Sequence, residues 1–204
     1  MLGLPKGTEL SKQLPKKAIY AKFNMNTAAK EKFDADISRI TIVNEISTTT
    51  TSIAKGNEVS SFYVLQIALK KKDFDERTIA SITKLIPQNL LLLLECETEG
   101  KLAIYHNKLM QTDWKPKEEL SITLKGLNLD AVWENVVVQV GNVEIEQGKT
   151  LDEQIADDER RTRLIKEIDK VEKLARNEKQ PKKKFELAQQ VNKLKNELEE
   201  IHNG

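Results

Sequence analysis

Residues 151–204 carry the pattern that most restricts how this chain folds, because apolar side chains recur there at alternating intervals of three and four residues. This spacing places the apolar side chains of each series along one face of an α-helix, as in the seam of a coiled coil. Glycine is absent from Leu151 until the final residue, and Pro181 is the one proline of the segment. The first series consists of Leu164, Ile168, Val171 and Ala175, and the second of Leu187, Val191, Leu194, Leu198 and Ile201.

Pro181 lies between the two series and marks the point at which we predict that the chain turns back on itself. The helical stretch that contains each series is about three heptads long, which is short for an isolated helix to be stable in water. Folding back on each other buries both apolar faces, so the pattern predicts an antiparallel hairpin roughly 30 Å long at about 1.5 Å per residue. Proline is tolerated in the first turn of a helix, which places Pro181 at the start of the second one. We therefore assign residues 149–204 to a C-terminal helical hairpin.

The segment between the two helices, RNEKQPKKKFEL from Arg176 to Leu187, is strongly basic. Within residues 176–184, which we call the tip, five cations against the single acid Glu178 leave a charge of about +4. The helix dipole disfavours lysines in a first turn by about a few tenths of a kcal/mol or more, so helix stability alone does not select them. The tip is either a solvated bend or a surface that binds phosphate backbone or an acidic protein, without reading bases. The candidate binding residues are Arg176, Lys179, Lys182, Lys183 and Lys184.

Residues 26–148 alternate between strand and helix patterns. The best strand runs from Val59 to Leu69, and both of its faces are largely apolar, as a central strand requires. Helices are predicted to begin at Asn26 or Thr27, at Asp73 or Asp75, and at Asn128. The fold class predicted is α+β, a mixed β-sheet body with flanking helices followed by the C-terminal antiparallel helical hairpin. Further strands are predicted at residues 40–46, 90–94, 101–106 and 119–124.

Residues 1–25 contain two Leu-Pro-Lys triplets, at Leu4-Pro5-Lys6 and Leu14-Pro15-Lys16. Proline fixes its own φ and moves the preceding residue towards extended geometry. We therefore predict an extended, proline-containing N-terminal arm over residues 1–25, with room for one short helix, ahead of the α+β domain at residues 26–148.

Charge and cysteine content limit the classes of function. The 33 basic and 32 acidic residues nearly cancel, so any attraction to nucleic acid must come from a local patch. The one cysteine, Cys96, excludes an internal disulfide framework and fits a reducing compartment. The start of the chain lacks the order of a secretory signal, and the longest aliphatic run, Leu90 to Leu94, is far shorter than a membrane span. We expect a cytoplasmic protein without membrane contact.

Motifs for common chemistries are missing from the sequence. The two histidines, His106 and His202, and the single cysteine do not supply zinc-ligand spacing. Neither glycine-rich phosphate-binding motif occurs, and there is no GxSxG nucleophile elbow. We therefore predict no metal and no cofactor. Of the two tryptophans, Trp133 fits a helical core face, and Trp114, in a polar loop, is the candidate for an exposed stacking contact.

A metal-dependent nuclease is the enzymatic alternative. Such a site needs carboxylates placed to hold Mg²⁺, with a lysine nearby. Asp34 and Asp36 lie near the end of a predicted helix and Glu45 lies in the first predicted strand, so these three are the candidate catalytic residues. Asp34 and Asp36 are two residues apart and point to different faces of a helix, and Gln66 stands where a carboxylate is wanted in the best strand. The simpler reading is three surface carboxylates.

Four stretches of the chain, in their order, resemble the bacterial domain-of-unknown-function family 4391, and the resemblance extends over nearly the whole sequence. The resemblance implies no catalytic residues, because none are established for the family. It implies a context, that of small accessory proteins found beside helicases and DNA methyltransferases in restriction-like, phage-defence gene clusters. The chain departs from the expected pattern at residues 47–52, where STTTTS replaces a proline-containing turn. The stretches are GLPKGTELSKQLPKKAIY, VLQIALKKKDFDERTIASITKLIPQNLLLLLE, TDWKPKEELSITLKGLNLDAVWENVVVQV and LARNEKQPKKKFELAQQVNKLKNELEE.

These observations favour a non-enzymatic adaptor of a restriction-like or antiphage defence complex. The α+β body is expected to dock on a larger helicase or DNA methyltransferase subunit, and the basic tip to contact DNA backbone, independently of sequence, or an acidic surface of the partner. Two alternatives stay open. One is the nuclease, and the other is a homodimer in which two hairpins form a four-helix bundle.

Overall fold

The computed structural model describes residues 2–203, with side chains for residues 2–201. The chain divides into two compact units, residues 1–143 and residues 144–204. Met1 and Gly204, at the ends of the predicted arm and hairpin, lie outside the described residues. Among residues 2–203, every helix is too short or too polar to span a lipid bilayer.

A mixed sheet forms the centre of the first unit. Within residues 2–203 the sheet has seven strands, ordered β1-β2-β3-β4-β5-β6, and β7 also pairs with β5. Strands β3 and β4 run parallel, and the other paired strands described are antiparallel. The predicted α+β class with a mixed sheet is therefore confirmed. The strands are β1 (Glu9–Gln13), β2 (Ile37–Ser47), β3 (Ser61–Leu69), β4 (Asn89–Cys96), β5 (Glu99–His106), β6 (Lys108–Gln111) and β7 (Lys115–Pro116).

Three helices of the first unit begin where the sequence predicted a capping side chain. The side-chain oxygens of Asn26, Asp75 and Asn128 each accept a hydrogen bond from a backbone N–H of the following first turn, at 2.9 Å. Strand β3 reaches its parallel neighbour β4 through α3, because parallel strands need a crossover connection. The helices are α1 (Lys16–Lys22), α2 (Thr27–Asp36), α3 (Glu76–Ile82) and α4 (Leu129–Gly141).

Apolar side chains cover both faces of β3. Leu65 and Ile67 pack on one face in a cluster that contains Phe33 of α2 and Ile79 of α3. On the other face Phe62 meets Trp133 of α4, with ring centroids 5.1 Å apart. The continuous apolar run that predicted a central strand is explained by these two layers of helices.

The predicted arm lies within the sheet unit. Residues 9–13 form β1, which pairs antiparallel with β2 at the edge of the sheet. Ile19 of α1 is 2% exposed and belongs to the main apolar cluster. Thr8 is also buried, and its hydroxyl accepts a hydrogen bond from Asn44 Nδ2 on β2 at 2.8 Å. The Leu-Pro-Lys triplets flank this edge strand, because proline is tolerated beside a strand that pairs on one side only.

The strand predicted at residues 119–124 is wrong. Leu120 and Ile122 are buried and alternate with exposed neighbours, as in a strand, but the segment pairs with no strand within residues 2–203. The N–H of Ile122 donates instead to the carbonyl of Leu2 at 3.0 Å, and the N–H of Thr123 donates to Gln139 Oε1 at 3.0 Å. Alternating burial therefore arises here without a hydrogen-bonded ladder.

The second unit is a hairpin of two helices, α5 (Leu151–Asn177) and α6 (Pro181–Asn203). Its apolar cluster contains eight of the nine predicted seam residues, with Leu164, Ile168, Val171, Val191 and Leu194 buried, and Ala175 is not part of it. Glu172 of α5 pairs with Lys195 of α6 at 2.8 Å. Nearer the end of α6, Arg161 Nη2 donates to the carbonyl of Ile201 at 3.0 Å. These two contacts show that the helices run antiparallel, and the predicted hairpin is confirmed.

Candidate functional site

The bend between α5 and α6 is short and held by hydrogen bonds. The N–H of Glu178, just after α5, donates to the carbonyl of Leu174 at 3.0 Å. The N–H of Gln180 donates to Glu178 Oε1 at 2.8 Å. Pro181 is the first residue of α6, as predicted, and the N–H of Lys184 donates to the carbonyl of Gln180 at 2.9 Å. The basic residues are therefore carried by two helix ends and a three-residue link, residues 178–180.

All five predicted binding residues are exposed at this bend. Arg176 forms an ion pair with Glu172 at 3.4 Å, but its side chain remains 77% exposed, and such surface pairs contribute little stability. Among residues 2–201, no acidic side chain lies within ion-pair distance of the four remaining cations. These cations are Lys179, Lys182, Lys183 and Lys184.

Glu178 is the acidic residue within the tip, and its surroundings keep it ionised. The pKa of its carboxyl lies below its ordinary value, chiefly because the backbone N–H of Gln180 donates to it. The N–H of Lys179 and the charge of Lys183 act in the same direction, and partial desolvation opposes them. Residues 176–184 therefore retain a net charge of about +4 at neutral pH, with five cations against one anion.

The five cations surround the tip rather than share one face. Successive residues of a helix point about 100° apart, so Lys182, Lys183 and Lys184 project in three directions. Lys183 lines a groove of about 590 Å³ on one side of the seam, together with Glu178. Arg176 and Lys184 line a groove of about 470 Å³ on the other side. A polyanion can therefore contact a cationic side chain of the tip from more than one direction.

The opposite end of the hairpin is acidic. Residues 144–163 and 195–201 together contain ten acidic and five basic side chains. Some of these are paired, as when Lys149 contacts Glu146 at 2.7 Å and Asp157 at 2.9 Å. Positive charge is thus concentrated at the bend and negative charge at the far end of the same two helices.

Phe185 is a feature of the tip that the sequence reasoning did not single out. Its side chain is 63% exposed, and it lies outside the apolar cluster of the hairpin. The spacing of the residues indicates this exposure, because Phe185 is two residues before Leu187 and therefore does not lie on the helix face that carries the seam. A large aromatic ring therefore stands in water next to Lys184.

The three carboxylates of the nuclease alternative are engaged in separate contacts. Asp34 accepts hydrogen bonds from Lys16 Nζ and from the hydroxyl of Tyr20, both at 2.6 Å, and these bonds hold the pKa of Asp34 below its ordinary value. Burial, together with the bond to Asp34, raises the pKa of Tyr20 to about 12. Glu45 accepts from the hydroxyl of Tyr63 at 3.3 Å.

Asp36 joins α2 to the segment that precedes α3. It is buried, with one oxygen 3.0 Å from Lys71 Nζ and the other accepting from the N–H of Asp75 at 3.0 Å. Burial acts to raise the pKa of Asp36, but the two contacts outweigh it and bring the pKa below its ordinary value. Within the described residues, no group of three His, Cys, Asp or Glu side chains is arranged to hold a metal. The side chain of His202 lies outside the described residues.

Trp114 is already in contact with the chain's own cations. Its ring centroid lies 5.2 Å from Lys101 Nζ and 5.6 Å from Lys72 Nζ. Burial lowers the pKa of Lys101, and the charges of Glu76 and Asp113 partly oppose this. The candidate stacking residue predicted in this loop is therefore half-buried in a lysine–aromatic cluster, and Phe185 is the more exposed ring.

Comparison with known proteins gives one match. A family model described as "Domain of unknown function (DUF4391)" matches residues 2–198. No curated protein and no solved structure matches the chain. The matched region includes the sheet unit, the bend and nearly all of α6, so the hairpin tip is part of what the family model describes.

Proposed function

This chain belongs to the DUF4391 family, and from that premise we propose that it is a non-enzymatic accessory protein whose hairpin tip binds the phosphate backbone of nucleic acid. The observation that carries the proposal is the bend, where five exposed cations face one acid and four of the cations have no ion pair among the described residues. Helix stability does not account for lysines in the first turn of α6, because the helix dipole disfavours them there.

The geometry of the tip fits binding that depends on charge and not on sequence. Lysine side chains that project in several directions can contact phosphates without a fixed register, whereas reading a base edge requires a side chain at a set position in a groove. Each phosphate neutralised releases bound counterions, so the affinity of such a surface falls steeply with salt.

The cellular role that we propose follows from the family resemblance. The protein acts in a bacterial restriction-like or antiphage defence complex, where its sheet unit docks on a larger helicase or DNA methyltransferase subunit and its hairpin contacts the DNA that the subunit handles. Pull-down of the proteins encoded by neighbouring genes tests the docking. Capture of a helicase or methyltransferase by the full chain supports this role, and capture of neither, at equal expression, contradicts it.

A charge-matched pair of variants tests the tip. One variant changes Lys182, Lys183 and Lys184 to Ser, and the control changes Lys166, Lys170 and Lys193, exposed along the same two helices, to Ser. Both remove three positive charges, so they alter the net charge of the protein equally. We expect only the tip variant to lose affinity for labelled DNA, by fluorescence anisotropy, with the larger loss at low salt.

Two results would contradict the proposal. Equal losses of DNA affinity in the two variants would show that binding depends on the overall charge of the protein and not on the tip. Loss of partner capture, but not of DNA binding, in the tip variant would show that the tip binds an acidic protein surface.

The nuclease alternative is tested by incubating the chain with DNA and RNA in the presence of Mg²⁺ or Mn²⁺. Cleavage that Glu45→Gln abolishes would support this alternative.

A further inference from the structure

We propose that Phe185 stacks on an unpaired base, so that the hairpin tip prefers single-stranded to double-stranded nucleic acid. This inference rests on the proposed function and names the kind of nucleic acid that the tip takes. It is carried by the exposure of the ring, its neighbours on α6 and the charge around it.

The position of Phe185 has no explanation within the hairpin. The side chain is 63% exposed, whereas the neighbouring seam residue Leu187 packs against the apolar cluster. Phe185 lies on the side of α6 opposite to the seam, because it is separated from Val191 and Leu194 by six and nine residues. Removing the ring therefore leaves the packing of α5 against α6 intact.

The surroundings of the ring are cationic or neutral. On a helix, the residues three and four positions away are the neighbours of a side chain. For Phe185 these are Pro181, Lys182, Ala188 and Gln189, and none of them is acidic. Glu186 follows in sequence but lines the groove beside the seam with Lys183. The one charged residue among these four helical neighbours is therefore a lysine.

An aromatic ring among lysines matches the way proteins hold single strands. Lysines contact the phosphates while bases stack on the ring, and stacking is tolerant of sequence because every base has a π-face. In a duplex the bases are stacked and paired, so their faces cannot reach a ring on the protein surface. The lysines can contact the phosphates of single and double strands alike, but the ring can stack only on the unpaired bases of a single strand.

The test compares a labelled single-stranded oligonucleotide with its duplex, using fluorescence anisotropy over a range of salt concentrations. We expect Phe185→Ala to weaken binding of the single strand roughly 5- to 150-fold, the factor that stacking of one base supplies. Duplex affinity should change less than about twofold by the same reasoning. The slope of log affinity against log salt should not change, because no phosphate contact is lost.

Three further variants separate stacking from other causes. Phe185→Tyr keeps an aromatic face and should retain the affinity for the single strand. Ile165→Ala removes another exposed apolar side chain, 55% exposed on α5, and should have no effect. The Lys182, Lys183 and Lys184 to Ser variant should lower the salt slope for the single strand by up to about 2, which Phe185→Ala should not do.

The outcomes distinguish this inference from the proposed function. Absence of any nucleic-acid binding by the wild-type chain would overturn both. Binding that depends on the lysines but is equal in Phe185→Ala and wild type, for both forms of DNA, would overturn the stacking role alone. Vesicles of anionic phospholipid provide a further comparison, since lysines around one aromatic side chain also suit a membrane surface. Phe185-dependent binding to vesicles without Phe185-dependent binding to the single strand would likewise overturn it.

Discussion

Single carboxylates fix the loops of the sheet unit. Asp130, in the first turn of α4, accepts hydrogen bonds from the backbone N–H groups of Asn57, Glu58 and Val59 at 2.6, 3.2 and 2.7 Å. Gly56 is needed beside it, because a Cβ there would lie 2.1 Å from Asp130 Oδ1 and 2.8 Å from the backbone nitrogen of Asp130. One side chain therefore holds the loop that leads into β3.

This arrangement predicts a dependence of stability on pH. The three N–H donors, led by that of Val59, hold the pKa of Asp130 below its ordinary value of 3.8. A lowered folded-state pKa contributes stability that is complete above the ordinary value and is lost as the pH falls through the folded value. We expect Asp130→Asn to lower the urea midpoint at pH 7, and the difference from wild type to shrink as the pH is lowered below about 4.

Asp73→Asn, which changes an exposed carboxylate in the same unit, is the control for a general effect of charge. A difference between wild type and Asp130→Asn that stays constant from pH 7 to pH 3 would show that the shape of the side chain matters and its charge does not.

At the scale of elements, the hairpin depends on one seam. Leu164, Ile168 and Val171 of α5 pack in one cluster with Val191 and Leu194 of α6, and Leu187, Leu198 and Ile201 are partly buried against it. The start of α5 adds a capping box, in which the side chain of Thr150 accepts from the N–H of Glu153 and the Glu153 carboxylate accepts from the N–H of Thr150. The apolar contacts therefore supply most of the attraction between the two helices.

Truncation within the seam should destabilise the hairpin. Leu194 is 8% exposed, and Leu194→Ala removes buried methyl groups and leaves a cavity, at a cost of about 2–4 kcal/mol. We expect loss of helical circular dichroism at a lower temperature than in wild type. Leu174→Ala, at a position 51% exposed on α5, is the control and should change the transition little. Equal effects of the two changes would mean that the seam is not the main source of stability.

Elements defined by local patterns were predictable from the sequence, and elements defined by their partners were not. Most of the seam residues, Pro181 and the cap at Asn128 lie where predicted, because these features act within a few residues of the chain. Asn26 and Asp75 are each one of the two capping residues predicted for their helices. Residues 119–124 alternate like a strand, but a strand also needs a free edge to pair with. Residues 9–13 have no apolar pattern, yet they pair with β2 because its edge is open. The exposed ring of Phe185 was not predicted, although its spacing from Leu187 places it off the seam.

At the scale of the whole molecule, the two units differ in how their cores are built. In the first unit, β3 and β4 are each flanked by strands on both sides, and β3 is covered by side chains on both faces. In the second unit, the buried residues of the seam lie along one face of each helix. Backbone hydrogen bonds in the centre of the sheet are therefore farther from water than those of α5 and α6.

Amide hydrogen exchange should show this difference directly. We expect the amides of β3 and β4 to exchange more slowly than those of α5 and α6, because opening a central strand exposes more apolar surface than opening the hairpin. Mass spectrometry of the full chain at several exchange times measures this. Equal protection of both units, with exchange in a single step, would show that they open together.

The unequal ends of the hairpin also bear on how it meets a charged target. With an excess of lysine at the bend and an excess of acid at the far end, the hairpin behaves as an electric dipole along its length. The electric field of a polyanion orients this dipole before the two molecules make contact, so that the bend approaches the polyanion first. Orientation before contact raises the rate of productive encounters, and salt, which shortens the reach of the field, should slow association more than it hastens release.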